Sequence, residues 1–342
     1  MRVATVRQGL QEALREELLR SDDVFVLGED VGRYGGAYAV TKGLLDEFGP
    51  KRVIDTPLSE AMIVGAAIGA AMLGGRPVAE IMYVDFMTLA MDQLVNQAAK
   101  FHYMFGGAYS VPLVVRTQQG VGRGAGAQHS QSLEAWFTHI PGLKVVAPST
   151  PADAKGLLKS AIRDDNPVVF LEHKRLYDRK GELPDAGEEL LVPIGSADVR
   201  RAGLDLTLIA YSSMVDVALS AADTLAEEHG INAEVLDLRT LAPLDTEELC
   251  NSVARTRRAV VVHEAVLTGG FGAEIAARLN EELFDELLAP VVRVATPDIP
   301  LPANLLLERM LIPDAARVVS AVRALIGDAE PVAGRPGTSG RW

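Results

Sequence analysis

The sequence predicts an α/β protein of two domains, each a mostly parallel sheet flanked by helices. Three observations carry that expectation. Short apolar runs of strand length alternate with amphipathic helical segments along most of the chain. The alternation lapses over residues 178–195, where Lys, Glu, Pro, Asp and Gly collect, and then restarts. The 342 residues also exceed one ordinary domain of about 100 to 200, so two cores fit.

In chain order, Val6, Leu10, Leu14 and Leu18 recur every four positions and predict a helix, after which VFVLG has strand character. A helix follows Thr56 and Pro57, then a strand over 78–82, a helix over about 87–103 and a strand over 112–117. Beyond a glycine-rich loop come the strand KVVAP, a helix over 151–163 and the strand PVVFLEH. After the lapse, strands are expected over 206–211, 233–238, 259–263 and 291–295, with helices such as 273–288 between them. The expected division is a first domain over 1–180, a linker over 181–200 and a smaller second domain over 201–327. The Pro- and Gly-rich stretch 328–342 is expected to be a flexible tail.

Composition narrows the function classes. With 48% hydrophobic and 23% charged residues the chain is a folded globular protein. The 33 Lys and Arg face 46 Asp and Glu, a net charge of −13 that opposes the basic face nucleic acids require. Cys250 is the only cysteine, which rules out an intrachain disulfide, a CxxC redox pair and an iron–sulfur cluster held by this chain's own thiolates. A reducing cytoplasm is the expected setting. The first residues lack an apolar core with a cleavage site and read as mature protein. The most apolar stretch, 61–73, is short of the roughly 20 residues a membrane span needs, so no insertion is expected.

Two constellations offer chemistry. DTPLSEAMIVGAAIGAAMLGG puts Glu60 at a helix start, where Ser59 or Thr56 is expected to cap and the dipole favours a carboxylate. A plain first-turn acid explains this segment as well as a functional one. Gly65 and Gly69 share a helical face and would let a second backbone approach, as at a subunit interface. The second constellation alternates Gly120, Gly122, Gly124 and Gly126 before Gln128, His129, Ser130 and Gln131. It matches neither GxxxxGK[ST] nor a well-placed GxGxxG, so a mobile loop presenting His129 is the stronger reading against a phosphate cradle. A surface loop histidine is the plain alternative. His102, His139 and His173 are scattered, without the HExxH spacing of a zinc site, and there is no GxSxG elbow or kinase signature. The electrophile is therefore expected to be a bound cofactor.

DTPLSE, EIMYVDF, DQLVNQAAKFHYMFGG, AQHSQ, HIPGLKVVAPSTPADAKGLLKSAIRDDNPVVFLEH and VLDLRTLAPLD closely resemble beta subunits of the decarboxylase component of pyruvate, branched-chain 2-oxo acid and acetoin dehydrogenases. The likeness runs over about 3–326. It implies a transketolase-like alpha2beta2 assembly with thiamine diphosphate between chains: the aminopyrimidine on the beta subunit, the diphosphate and Mg²⁺ on the alpha subunit. No GDG segment, the family's diphosphate signature, occurs here, so the chain is expected to be inactive alone.

In that family the residue matching Glu60 hydrogen-bonds the ring nitrogen opposite the exocyclic amine and promotes the tautomer that removes the thiazolium proton. His129 matches a histidine that assists the later acyl transfer to a lipoyl group. Leu58, Met82 and Phe86 match positions lining the aminopyrimidine pocket, with ordinary core packing as the alternative. SAIRDDNP resembles a turn that holds K⁺ in several relatives, which would place Leu113, Ala161, Ile162, Asp164 and Asn166 around the ion; an empty turn is the other reading. Pyruvate is the commonest family substrate, while MYVDF, NQAAKFHYMFGG and IPDAARV resemble acetoin-cleaving members at least as well, and a branched-chain acid ranks third. The implied partners are the alpha subunit and the dihydrolipoyl acyltransferase core. A non-catalytic module that only scaffolds an alpha chain is the reading from another class.

Overall fold

The computed structural model describes residues 1–185 and 187–327; the tail expected over 328–342 lies outside the described residues. The first unit runs β1 (Arg2–Thr5), α1 (Val6–Arg20), β2 (Val24–Gly28), α2 (Leu44–Phe48), β3 (Val53–Asp55), α3 (Glu60–Met72) and β4 (Arg76–Ile81). A 3₁₀ segment Val84–Ala90 and a π segment Gln93–Ala98 lead to α4 (Ala99–Met104), β5 (Val114–Gln119), α5 (Glu134–Thr138), β6 (Lys144–Val146), α6 (Pro151–Arg163), β7 (Val168–His173) and β8 (Lys180–Leu183). The second unit contains β9 (Asp198–Arg201), β10 (Leu206–Ala210), α7 (Met214–His229), β11 (Ala233–Asp237), β12 (Thr240–Ala242), α8 (Thr246–Thr256), β13 (Ala259–Val266), α9 (Phe271–Leu283), β14 (Val292–Thr296), α10 (Leu305–Leu311) and α11 (Ala315–Ile326).

Local chemistry sets the helix starts. Thr5 accepts from the Gln8 amide while the Gln8 side chain accepts from the Thr5 amide, a capping box that launches α1. Thr150 caps α6, with Pro151 at its first position. The two helices lie so close that a Cβ on Gly9 would sit 2.6 Å from the Pro151 carbonyl oxygen. Leu10, Leu14 and Leu18 of α1 are buried in the resulting core, each worth about 2 kcal/mol by area removed from water. Along the seam Lys155 and Lys159 pair with Glu16, and Arg163 pairs with Glu17.

The larger sheet has the order β12-β6-β7-β5-β4-β2-β3, parallel except for β12. The smaller has the order β14-β13-β10-β11-β9, parallel except for β9. Both sheets carry helices, as the sequence predicts. From β2 the chain pairs β3 on one side and then returns to place β4 on the other. Such a reversal opens a crevice at the carboxyl ends of the strands.

The structure departs from the sequence expectations in three places. The helix expected over 87–103 is split into 3₁₀, π and α pieces; at its entry Asp85 bonds Gln131 and Phe86 packs on His129. Part of the stretch read as an exposed connection is β8, which pairs antiparallel with β1. Thr240–Ala242, within the second unit in sequence, adds an antiparallel edge strand to the first sheet. Leu236, Leu238 and Leu241 consequently share one buried cluster with Val145 and Leu171, which welds the two units together. Among the described residues no helix is long and apolar enough to cross a membrane.

Candidate active site

The carboxyl ends of β2, β3 and β4 collect acids. Glu29 follows β2 and is buried; burial pushes its carboxyl above the usual range, helped by the nearby charges of Glu60 and Asp30. Glu60 opens α3, which packs on the 3₁₀ segment carrying Phe86. The expected cap differs: neither Ser59 nor Thr56 caps α3, since the Ser59 side chain makes no capping bond and Thr56 Oγ1 is buried without a partner. Glu29 Oε1 and Asp85 Oδ2 are likewise buried and unpartnered. Buried acceptors without donors are costly, so this rim is built to receive a group bearing N–H donors.

On the 3₁₀ segment that α3 packs against, Phe86 meets the His129 ring edge-on at 5.3 Å, and Tyr83 just before it meets the same ring at 5.8 Å. Met82, next to Tyr83, is half-buried. Leu58 is 80% exposed, so any wall it forms needs a second chain. The rim thus offers an acid, aromatic surfaces and an imidazole, and is open on the side of Leu58. An aminopyrimidine, which carries N–H donors and a flat ring, fits these acceptors and faces. A diphosphate does not, because Asp30 and Glu60 would repel it. That agrees with a cofactor whose phosphates lie on another chain.

The loop bearing His129 is held from several directions. The Gly120 amide donates to the Gln131 carbonyl (2.9 Å), closing the loop base. Lys174 donates to the carbonyls of Gly120 and His129 and lies 4.5 Å over the Tyr83 ring. Burial pushes Lys174 down to about 8 against the pull of Asp85, Glu264 and Glu308. Glu264 accepts from the Val121 amide (2.9 Å), and His173 Nε2 lies 3.0 Å from both its oxygens. Burial raises the Glu264 carboxyl, but His173 and the Val121 amide outweigh it and hold the group below its usual range. Asp85 accepts from the Gln131 side chain at 2.9 Å.

Sequence reasoning set His173 aside as scattered and did not single out Glu29, Tyr83, Asp85, Lys174, Glu264 or Glu308. The run EHK, in which Lys174 follows the strand PVVFLEH, was the available signal for His173 and Lys174. Among the described residues no second backbone lies against Gly65 or Gly69. A Cβ on Gly69 would meet nothing, and one on Gly65 would meet the Gln93 side chain at 3.5 Å. With exposed Met62, Ala66 and Leu73 they form an apolar stripe on α3.

The turn expected to hold K⁺ already gathers positive charge. Arg76 Nη1 donates to the carbonyls of Ile162 (3.1 Å) and Asp164 (3.2 Å), and Lys144 pairs with the Asp164 carboxylate. The Leu113 carbonyl accepts from the Val168 amide at 2.8 Å, and the Ala161 carbonyl from the Asp164 amide at 3.3 Å. Asn166 turns its side-chain amide to Asp164 Oδ1 at 3.0 Å. An ion entering there would share oxygens with Arg76.

A family model described as transketolase, pyrimidine binding domain, matches residues 2–180, and one described as transketolase, C-terminal domain, matches 195–318. The chain is 46% identical over 325 residues to a pyruvate dehydrogenase E1 component subunit beta of Rhizobium meliloti (strain 1021), covering 95% of this chain and 70% of that one. It is 47% identical over 319 residues to the corresponding subunit of Rickettsia felis (93% and 97%). It is 48% identical over 334 residues to the mitochondrial beta-2 subunit of Oryza sativa subsp. japonica (96% and 88%). Among solved structures, a split gene transketolase in an inactive beta4 tetramer superposes with a TM-score of 0.76 at 24% identity, covering 94% of this chain and 98% of that one. That likeness bears on the fold alone.

Proposed function

The chain belongs to the family of pyruvate dehydrogenase E1 component beta subunits, and from that premise we propose that Glu60 and His129 are its contribution to an active site completed by an alpha subunit. The reaction is thiamine-dependent oxidative decarboxylation of a 2-oxo acid, pyruvate first, with acyl transfer to a lipoyl group on an acyltransferase core. The observation that carries this reading is the set of buried, unpartnered oxygens Glu29 Oε1, Thr56 Oγ1 and Asp85 Oδ2 beyond the carboxyl ends of β2, β3 and β4, at a strand-order reversal, with Glu60 close enough to Glu29 to raise its carboxyl. The α3 stripe of Met62, Ala66, Gly69 and Leu73 is the surface offered to another chain.

Bound thiamine diphosphate supplies a carbon nucleophile and holds the electron pair left when carbon dioxide departs. The chain's own residues do the rest. Glu60 holds a proton against the ring nitrogen of the aminopyrimidine and so selects the tautomer whose exocyclic nitrogen acts as base. Glu29, its carboxyl raised by burial and by the nearby Glu60 and Asp30 charges, takes up a proton more readily than a free glutamate. Phe86 and Tyr83 supply an apolar face and limit water. His129, whose backbone carbonyl accepts from Lys174, gives or takes the proton that accompanies acyl transfer in this reading. Mg²⁺ belongs with the diphosphate on the alpha chain.

Co-expression with an alpha-like chain, followed by assay with thiamine diphosphate and Mg²⁺ on pyruvate, acetoin and branched-chain 2-oxo acids, tests the proposal. Turnover of pyruvate above the others is expected. Preference for acetoin would reassign the substrate, and no product from any of the three would sink the enzyme reading. A tetramer that forms and turns over normally with Glu60→Gln would leave only a scaffolding role.

A further inference from the structure

The glycine-rich loop makes an anion-binding concavity, and the anion in it is a side chain of the second domain. The Gly122 amide donates to Glu308 Oε1 (2.8 Å) and the Gly124 amide to Glu308 Oε2 (3.2 Å). Gly120, Gly122, Gly124 and Gly126 all have positive φ, from +62° to +122°, a backbone that glycine adopts without strain and that lets the Gly122 and Gly124 amides meet one carboxylate. The cradle that the sequence pattern suggests for phosphate is thus filled from within. Glu308 lies in the middle of α10, is 1% exposed, and gives both oxygens to the loop. The loop also lies directly on the α10 entry, where a Cβ on Gly124 would fall 2.5 Å from the Ala303 carbonyl oxygen.

We propose that Glu308 is a positioning residue: through the amides of Gly122 and Gly124 it fixes the arm of the loop that leads to His129, and so aims the imidazole at the rim beside Phe86. This rests on the role proposed above for His129. Without Glu308 the loop keeps its closed base, the Glu264 bond at Val121 and the Lys174 grip, but two converging amides lose their acceptor. The arm between Val121 and the turn in which the His129 amide meets the Gly126 carbonyl (3.3 Å) is then free to take other conformations. Glu60, carried on α3, is not touched by this change.

The test uses the assembled holoenzyme with E308A, E308Q, H129A and the two doubles. Amide exchange over 120–131 should be roughly tenfold faster or more in E308A, with a smaller change in E308Q, which keeps one acceptor oxygen. Lipoyl acylation should fall roughly tenfold in E308A while carbon dioxide release to an artificial electron acceptor stays within about twofold. On an H129A background E308A should add little, because its effect passes through the imidazole. Additive losses in that cycle, or unchanged loop exchange in E308A, overturn the proposal. If E308A fails to fold, the same cycle on E308Q decides. An H129A enzyme with undiminished acylation overturns the reading of His129 itself, a separate result from additivity in an impaired H129A enzyme.

Discussion

Glu60 and His129, the two residues proposed for the active site, are placed by opposite means. Glu60 is the first residue of a 13-residue helix whose Ile63, Val64, Ala67, Ile68 and Ala71 are buried, so its position follows from a few consecutive residues and the core beneath them. His129 sits on a loop of positive-φ glycines that has little structure of its own. Its place is set by Glu264, Glu308, Lys174 and Asp85, two of which come from the second domain. A rigid element gives precision without help. A loop can be adjusted, but only if distant residues hold it. Damage to the second domain should therefore reach the histidine and spare the acid.

The largest expected effect comes from the rigid side. Glu60→Gln should lower carbon dioxide release by about 100-fold or more in the assembled enzyme, the scale of a lost proton-transfer partner, with subunit association unchanged by sedimentation. Release within twofold of wild type would remove Glu60 from the chemistry. The Glu308 variants described above come next, in company with His129→Ala, which should cut lipoyl acylation roughly 10- to 100-fold while decarboxylation to an artificial acceptor changes far less. Equal losses in both assays would mean that the two sides of the rim serve one step, and the contrast drawn here would fail.

A smaller effect lies where the domains join. Asp237 is fully buried beside Asp153, accepts from Ser149 and from the Arg239 amide, and has its carboxyl pushed up to about 7 by burial and by Asp153. Raised in the folded state, this acid binds a proton more tightly than in the unfolded chain. Its contribution is fully present below about pH 4 and is lost as the pH rises through about 7. Thermal melting from pH 5 to 8 should accordingly decline less steeply in Asp237→Asn than in wild type. Identical slopes would show that the joint does not titrate. The smallest expected effect is that of K⁺: if the turn at Ile162 and Asp164 admits the ion beside Arg76, melting rises with K⁺ but not with equal Na⁺. A rise common to both salts would leave Arg76 as the only cation the turn requires.

The sequence made one side of this comparison readable and hid the other. Helix and strand periods located α1, β2, α3, β4, β7 and the parallel strands of the second sheet, because each buries its own face through a repeating pattern. Glu60 was visible for the same reason, as an acid at the start of a strongly apolar segment. The loop glycines and His129 were visible as a pattern, yet not what holds them. Glu264 lies 143 positions from the amide it accepts and Glu308 186 positions, and an isolated glutamate carries no local mark of such a bond. The broken helix after β4 escaped for a related reason: its apolar period is helical, and nothing local marks the contacts of Asp85 and Phe86 with the distant Gln131 and His129 at its entry. β12 was missed because three residues have no period, and its pairing with β6 is decided by the packing of the second unit on the first.

The most direct test is a structure of the chain assembled with its alpha partner and thiamine diphosphate. The account predicts a Glu60 carboxylate oxygen within about 2.6 to 3.2 Å of an aminopyrimidine ring nitrogen, with Phe86 and His129 lining the same pocket, the diphosphate held by the partner, and Glu308 still bonded to the Gly122 amide. A cofactor bound with its aminopyrimidine out of reach of Glu60, or with its diphosphate on this chain, would contradict it.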